Sequence, residues 1–163
     1  MKSLLALAAV AASAFGINAG IWTAATAVQK PSKQTAEDLN TAMHGEAFAY
    51  AKYTLFAQQA RKNGREDLAK LFEDAARTEH LEHFAEEAKL AGLVGSDADN
   101  LRNAIEGESY EVDTMYADFA RKALAAGDKQ VATRFEEIRK DEMKHRDAFK
   151  AALDKLQKVK LEP

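Results

Sequence analysis

Four stretches of this sequence space their apolar residues three and four apart, the period that turns one face of an α-helix toward a core. A glutamate interrupts every one of those faces. The first stripe reads Leu39, Met43, Glu46, Tyr50, Tyr53, Ala57 and Ala60. The second reads Leu68, Phe72, Ala75, Glu79 and Glu82, and the third Leu101, Ile105, Glu108, Val112, Met115 and Phe119. The fourth reads Val131, Phe135, Ile138, Glu142, His145, Phe149, Ala152 and Leu156. A chain patterned in this way folds as an all-α four-helix bundle, with only 8 Gly and 2 Pro among 163 residues to break its helices.

The breaks fall where the punctuation does. Thr35 and Asp38 resemble a capping box that opens helix A at about residue 36, and Asn63-Gly64 stops it near Lys62. Helix B runs to about Ala91, and Gly92 to Asp97 separates it from helix C. Gly127-Asp128 divides C from helix D, which ends near Val159. Each helix is roughly 40 Å long at about 1.5 Å per residue. Residues 36–159 thus make one bundle domain, with residues 28–35 as linker. Residues 1–27 read as an export signal: Lys2 precedes an apolar run, and Ala25-Thr26-Ala27 suits signal peptidase. That leader predicts an exported, periplasmic protein, with membrane contact only if the segment stays as an uncleaved anchor.

An unpaired carboxylate in a core costs several kcal/mol, and no Lys or Arg lies on these stripes to neutralise it. Bound cations answer the problem. Inward Glu from two helices with Glu-x-x-His from others is how di-iron and di-manganese bundles are built, and Glu142-Met-Lys-His145 supplies one such pair. The sequence holds no Cys, so any metal is held by oxygen and imidazole. Iron fits these ligands and manganese suits them as well. His44 and His80 fall off the stripes, His83 borders one, and Glu73, Glu86, Glu87 and Glu137 read as surface charge. A net charge of −3 with scattered Lys and Arg excludes a nucleic-acid surface. Tyr53 and Tyr116, about two turns past Glu46 and Glu108, read either as core aromatics or as phenols that hydrogen-bond to metal carboxylates.

The run Gly107-Glu108-Ser109-Tyr110-Glu111, with Met115-Tyr116 after it, Ala76-Arg77-Thr78-Glu79 before it and Glu142-x-x-His145 beyond, resembles the rubrerythrin family over about residues 36–155. The offsets 79 − 46 = 33 and 142 − 108 = 34 make two helix pairs that look like a duplicated half. The resemblance implies a ferritin-like fold and a di-iron centre. Glu46, Glu79, Glu108, Glu111, Glu142 and His145 take the ligand positions, and Tyr53 and Tyr116 those of hydrogen-bonding phenols. It also exposes a departure. Glu82 stands where the family has a histidine ligand, with His83 one residue later, so either Glu82 or His83 completes helix B's share of the site.

Assembly follows from a length. In ferritin-like topology helix C starts at the opposite end of the bundle from the end of B, yet residues 92–97 reach at most about 20 Å. The expectation is a homodimer in which two chains exchange helix pairs, with a simple up-down-up-down bundle as the alternative. The leading function is a non-haem di-iron peroxidase that reduces hydrogen peroxide to water. A separate donor protein supplies the electrons, since a four-cysteine rubredoxin-type domain has no counterpart in these residues. A ferroxidase or iron-handling protein that uses dioxygen is the second reading, and a non-enzymatic helical module the third.

Overall fold

The computed structural model describes residues 30–159, all helix and short connection, so the leader read over residues 1–27 lies outside the described residues. Helix α1 spans Lys33–Lys62. It starts three residues ahead of the expected position, because Ser32 rather than Thr35 is the cap: its hydroxyl accepts from the Thr35 amide at 3.2 Å. Helix B is α2 (Glu66–Thr78), a π-helical segment Glu79–Phe84, and α3 (Ala85–Ala91). Helix C is likewise α4 (Asp97–Tyr110), a π segment Glu111–Met115, and α5 (Tyr116–Ala126). Helix D is the unbroken α6, Lys129–Val159. Gly92 and Gly127 terminate helices B and C in left-handed conformation, φ 64° and 89°, which only glycine adopts without strain. No described helix is long and apolar enough to cross a membrane.

The helices pair as two antiparallel hairpins: α1 against the whole of helix B, and helix C against α6. Small residues set the approach of the axes. Ala57, Ala60, Ala69 and Ala76 are buried in the first hairpin and Ala120 and Ala132 in the second, and no large side chain is fully buried in either. Among the described residues no helix of one hairpin contacts a helix of the other, so a single chain does not close a four-helix bundle. Phe56, Leu68, Phe119 and Val131, all members or neighbours of the apolar stripes, are between 36% and 47% exposed as a result. A hairpin has one apolar face to give its partner helix and a second that needs another layer.

The duplication is exact in its anchors. Adding 63 converts Ala57, Ala69, Gly64, Phe72 and Glu79 into Ala120, Ala132, Gly127, Phe135 and Glu142. The offset drops to 62 for Gly45 to Gly107, Glu46 to Glu108, and His83 to His145. The two π segments account for the change. One extra residue in helix C after Glu108 raises the offset from 62 to 63, and one extra residue in helix B after Glu79 lowers it again. A π turn closes over one more residue than an α turn, so an insertion is absorbed without tearing the helix.

Candidate metal centre

Each hairpin brings two glutamates and one histidine together. In the first, His83 Nδ1 lies 2.8 Å from Glu79 Oε2 and 3.7 Å from Glu46 Oε2. In the second, His145 Nδ1 lies 2.7 Å from Glu142 Oε2 and 3.9 Å from Glu108 Oε1. Within each trio one ligand atom per residue lies within 4.8 Å of the others, the spread of a site able to hold one metal ion. Helix D presents its pair by ordinary α spacing, three residues apart. Helix B spaces its pair four apart across the π segment, and this is why His83 rather than Glu82 joins the cluster. Glu82 is exposed on the far side of that segment.

The remaining sequence candidates fall into place around these trios. Glu111 opens the π segment of helix C, half-buried, and burial with the charge of Glu142 raises its pKa. Tyr53 packs with Phe56 and Phe72 at ring separations of 6.3 and 6.1 Å; Tyr116 packs with Phe119 and Phe135 at 6.3 and 6.0 Å. An aromatic trio therefore flanks each cluster at duplicated positions. The Tyr116 phenol is held protonated above its ordinary range by burial and by Glu111, Glu142 and Glu108. His80 stacks on Tyr50 at 4.7 Å and His44 bonds the Asn40 carbonyl at 2.7 Å, and both lie outside the clusters.

The electrostatics are those of a cation site. Glu46 is raised above the ordinary carboxylate value chiefly by a shared hydrogen bond with Glu79, and Glu108 by burial and by Glu142. Such crowding relaxes when a proton or a metal ion enters. Glu108 Oε2 is buried with no hydrogen-bond partner, an orphan that a cation would satisfy. His83 is raised because Glu79 accepts from it. The donor set, carboxylate oxygen with imidazole and no thiolate, fits iron or manganese.

Sequence reasoning missed one residue that shapes the site. Arg139, on α6, donates from Nε to the Val112 carbonyl at 2.7 Å, tying α6 to the π segment. Its position off the apolar stripe gave no sign of this.

A family model described as Rubrerythrin matches residues 37–153. The chain belongs to the rubrerythrin family. It is 37% identical over 133 residues to a rubrerythrin of Porphyromonas gingivalis, covering 74% of this chain and 66% of that protein. To the nigerythrin of Nitratidesulfovibrio vulgaris it is 34% identical over 131 residues, 72% of this chain and 65% of that protein. Symerythrin of Cyanophora paradoxa is 30% identical over 135 residues, covering 66% of this chain and 75% of the relative. The chain spans just under two thirds of the length of the first two. Rubrerythrins form a ferritin-like, di-iron family, and this chain carries two carboxylate-histidine groups able to hold that metal pair.

Proposed function

We propose that two copies of this chain exchange hairpins, and that the completed centre reduces hydrogen peroxide to water with electrons from a separate donor. The observation that carries this reading is the division of the site. One trio lies on each hairpin, and the hairpins of a single chain do not touch. Pairing the first hairpin of one copy with the second hairpin of another covers the exposed aromatic faces and supplies both trios to one interior. Glu46, Glu79 and His83 would hold one iron ion and Glu108, Glu142 and His145 the other, with Glu111 as a further carboxylate ligand between them. Two iron ions there supply two electrons, one from each.

The chain's own groups do the rest. Reduction of one peroxide to two waters consumes two electrons and two protons. Tyr116, kept protonated beside Glu111, offers a hydrogen bond from its hydroxyl, and Tyr53 is its duplicate on the other hairpin. In the exchanged dimer the two aromatic trios would come to flank the carboxylates and limit the access of bulk water. The described residues contain no thiolate iron site, so electrons arrive from outside them. The leader read in residues 1–27 puts this activity in the periplasm, which cell fractionation tests directly.

Stopped-flow mixing of the reduced, iron-loaded protein with peroxide and, separately, with dioxygen tests the activity. Faster oxidation by peroxide is expected. Faster oxidation by dioxygen, or release of oxidised iron as a mineral, replaces this reading with iron handling.

A further inference from the structure

Two arginines of α6 depart from the duplication. The differences 139 − 76 = 63 and 146 − 84 = 62 pair Arg139 and Arg146 with Ala76 and Phe84 of helix B. Ala76 is buried and Phe84 half-buried, and both face α1: Ala76 shares a groove with Thr54 and Ala57, and Phe84 shares one with Met43 and Ala47. Apolar side chains are therefore sufficient at these two levels of a hairpin. The second hairpin puts a guanidinium at each. Both are also withdrawn from water, with side chains 34% and 16% exposed, against 45% to 71% for the arginines of the other ion pairs. A guanidinium gives up hydration favourably only where it gains partners.

Those partners lie on one short stretch of helix C. Arg139 Nε donates to the Val112 carbonyl at 2.7 Å in a part-buried bond, and Arg146 Nη1 lies 3.7 Å from Asp113 Oδ1. Val112 and Asp113 are consecutive residues of the π segment Glu111–Met115. The arginines are about two turns apart on α6, so the segment is gripped from two levels. Their other contacts stay within α6: Arg139 Nη1 lies 3.5 Å from Glu136 Oε2, and Arg146 Nε donates to Asp147 Oδ1 at 3.1 Å. The firmer hold is that of Arg139, because Asp113 is exposed and an ion pair open to water contributes little. The arginines also follow the backbone. Opposite Ala76 and Phe84, α1 is unbroken α-helix, whereas helix C carries its extra residue where Arg139 and Arg146 reach it.

A π turn's extra residue has no position of its own. Moving it one step along the helix keeps both flanking α segments but turns the side chain between them by about 100°. Glu111 opens the segment, so it is the candidate ligand that such a step would turn away. We propose that Arg139 and Arg146 are positioning residues: together, from α6, they pin the π segment at Val112 and Asp113 and so fix the direction of Glu111. The pinning needs no metal. Its consequence for ion binding rests on the metal reading proposed above.

Amide hydrogen exchange of the metal-free full chain tests the pinning, and anaerobic dialysis against ferrous iron tests its consequence. Arg139→Ala combined with Arg146→Phe rebuilds the side chains of the first hairpin, while Arg139→Lys keeps a cation able to donate to the Val112 carbonyl. In the double variant the amides of residues 112–116 should exchange about tenfold or more faster, with those of residues 98–108 at wild-type rates. At least one ferrous ion should then bind about tenfold or more weakly. Arg139→Lys should keep most of the wild-type protection and affinity, which a general loss of packing would not allow. Arg146→Met alone should show a smaller local increase in exchange, and it decides the matter should the double variant not fold. Equal acceleration along all of helix C, or wild-type rates at residues 112–116, would overturn the pinning. Faster local exchange with both ions held at wild-type affinity would overturn the positioning of Glu111. A wild type that binds no iron would remove the metal reading and the role of Glu111 with it, and the exchange rates would still decide the pinning.

Discussion

Arg139 Nε meets the Val112 carbonyl oxygen at 2.7 Å, joining α6 to the π segment that begins at Glu111. Val112 itself is 2% exposed, and the bond to its carbonyl is part-buried. Arg139→Ala should cost roughly 1–3 kcal/mol of stability, the penalty of an unsatisfied buried acceptor. If the segment then reverts to α geometry, Glu111 rotates away from Glu142. Urea melts give the first effect, and a lower affinity for one of two ferrous ions gives the second. An unchanged midpoint would show that water replaces the guanidinium.

Metal content is expected to separate His83 from Glu82. His83→Ala should remove the ion of the first half-site and leave the second bound, whereas Glu82→Ala should leave both, because Glu82 is exposed outside the trio. Iron analysis after anaerobic loading decides it. Loss of an ion in Glu82→Ala would restore the other option that the sequence left open.

The metal-free protein should respond to pH in the direction opposite to ordinary acid denaturation at Glu108. Burial and the charge of Glu142 raise its folded pKa above the ordinary 4.5. The folded state then binds more protons than the unfolded one between those two values, so this group's contribution to stability falls as pH rises through the window. Above it the penalty is fully present. Glu108→Gln removes the ionisation. Metal-free Glu108→Gln should therefore melt above wild type at pH 7, and the gap should close toward pH 4. A gap of constant size would mean that the carboxylate charge is not the cause.

Sedimentation equilibrium should give twice the chain mass for the wild type, since Phe56 and Phe119 remain uncovered in a single chain. Replacing both by Asp should dissociate the dimer. Lengthening the connection at residues 92–96 by about 12 Gly and Ser residues lets one chain span the roughly 40 Å between bundle ends. That insertion should yield a folded, metal-binding monomer. A wild-type monomer with two bound ions would rule out exchange.

How much of this was legible beforehand differs residue by residue. Glu46, Glu79, Glu108 and Glu142 stood out because a helix of period 3.6 declares which side chains share a face, and a charge on an apolar face is conspicuous in one dimension. The helix ends at Gly92 and Gly127 were legible for a similar reason, since glycine's freedom at positive φ is a local property. Glu87, Arg139 and the choice between Glu82 and His83 were not. Each depends on a one-residue change of helical phase or on what lies across a hairpin, and a π turn has no composition of its own by which to recognise it.

By itself the sequence determined four helices, their stops, the duplicated halves and the acids facing inward, because those follow from local backbone preferences and the periodicity of burial. Only the tertiary structure decided that two π segments re-aim the ligands, that His83 reaches Glu79, that one oxygen of the part-buried Glu87 lacks a donor, and that one chain leaves its hairpins apart. Contacts between residues distant in sequence are set by packing distance and desolvation, which no local pattern encodes.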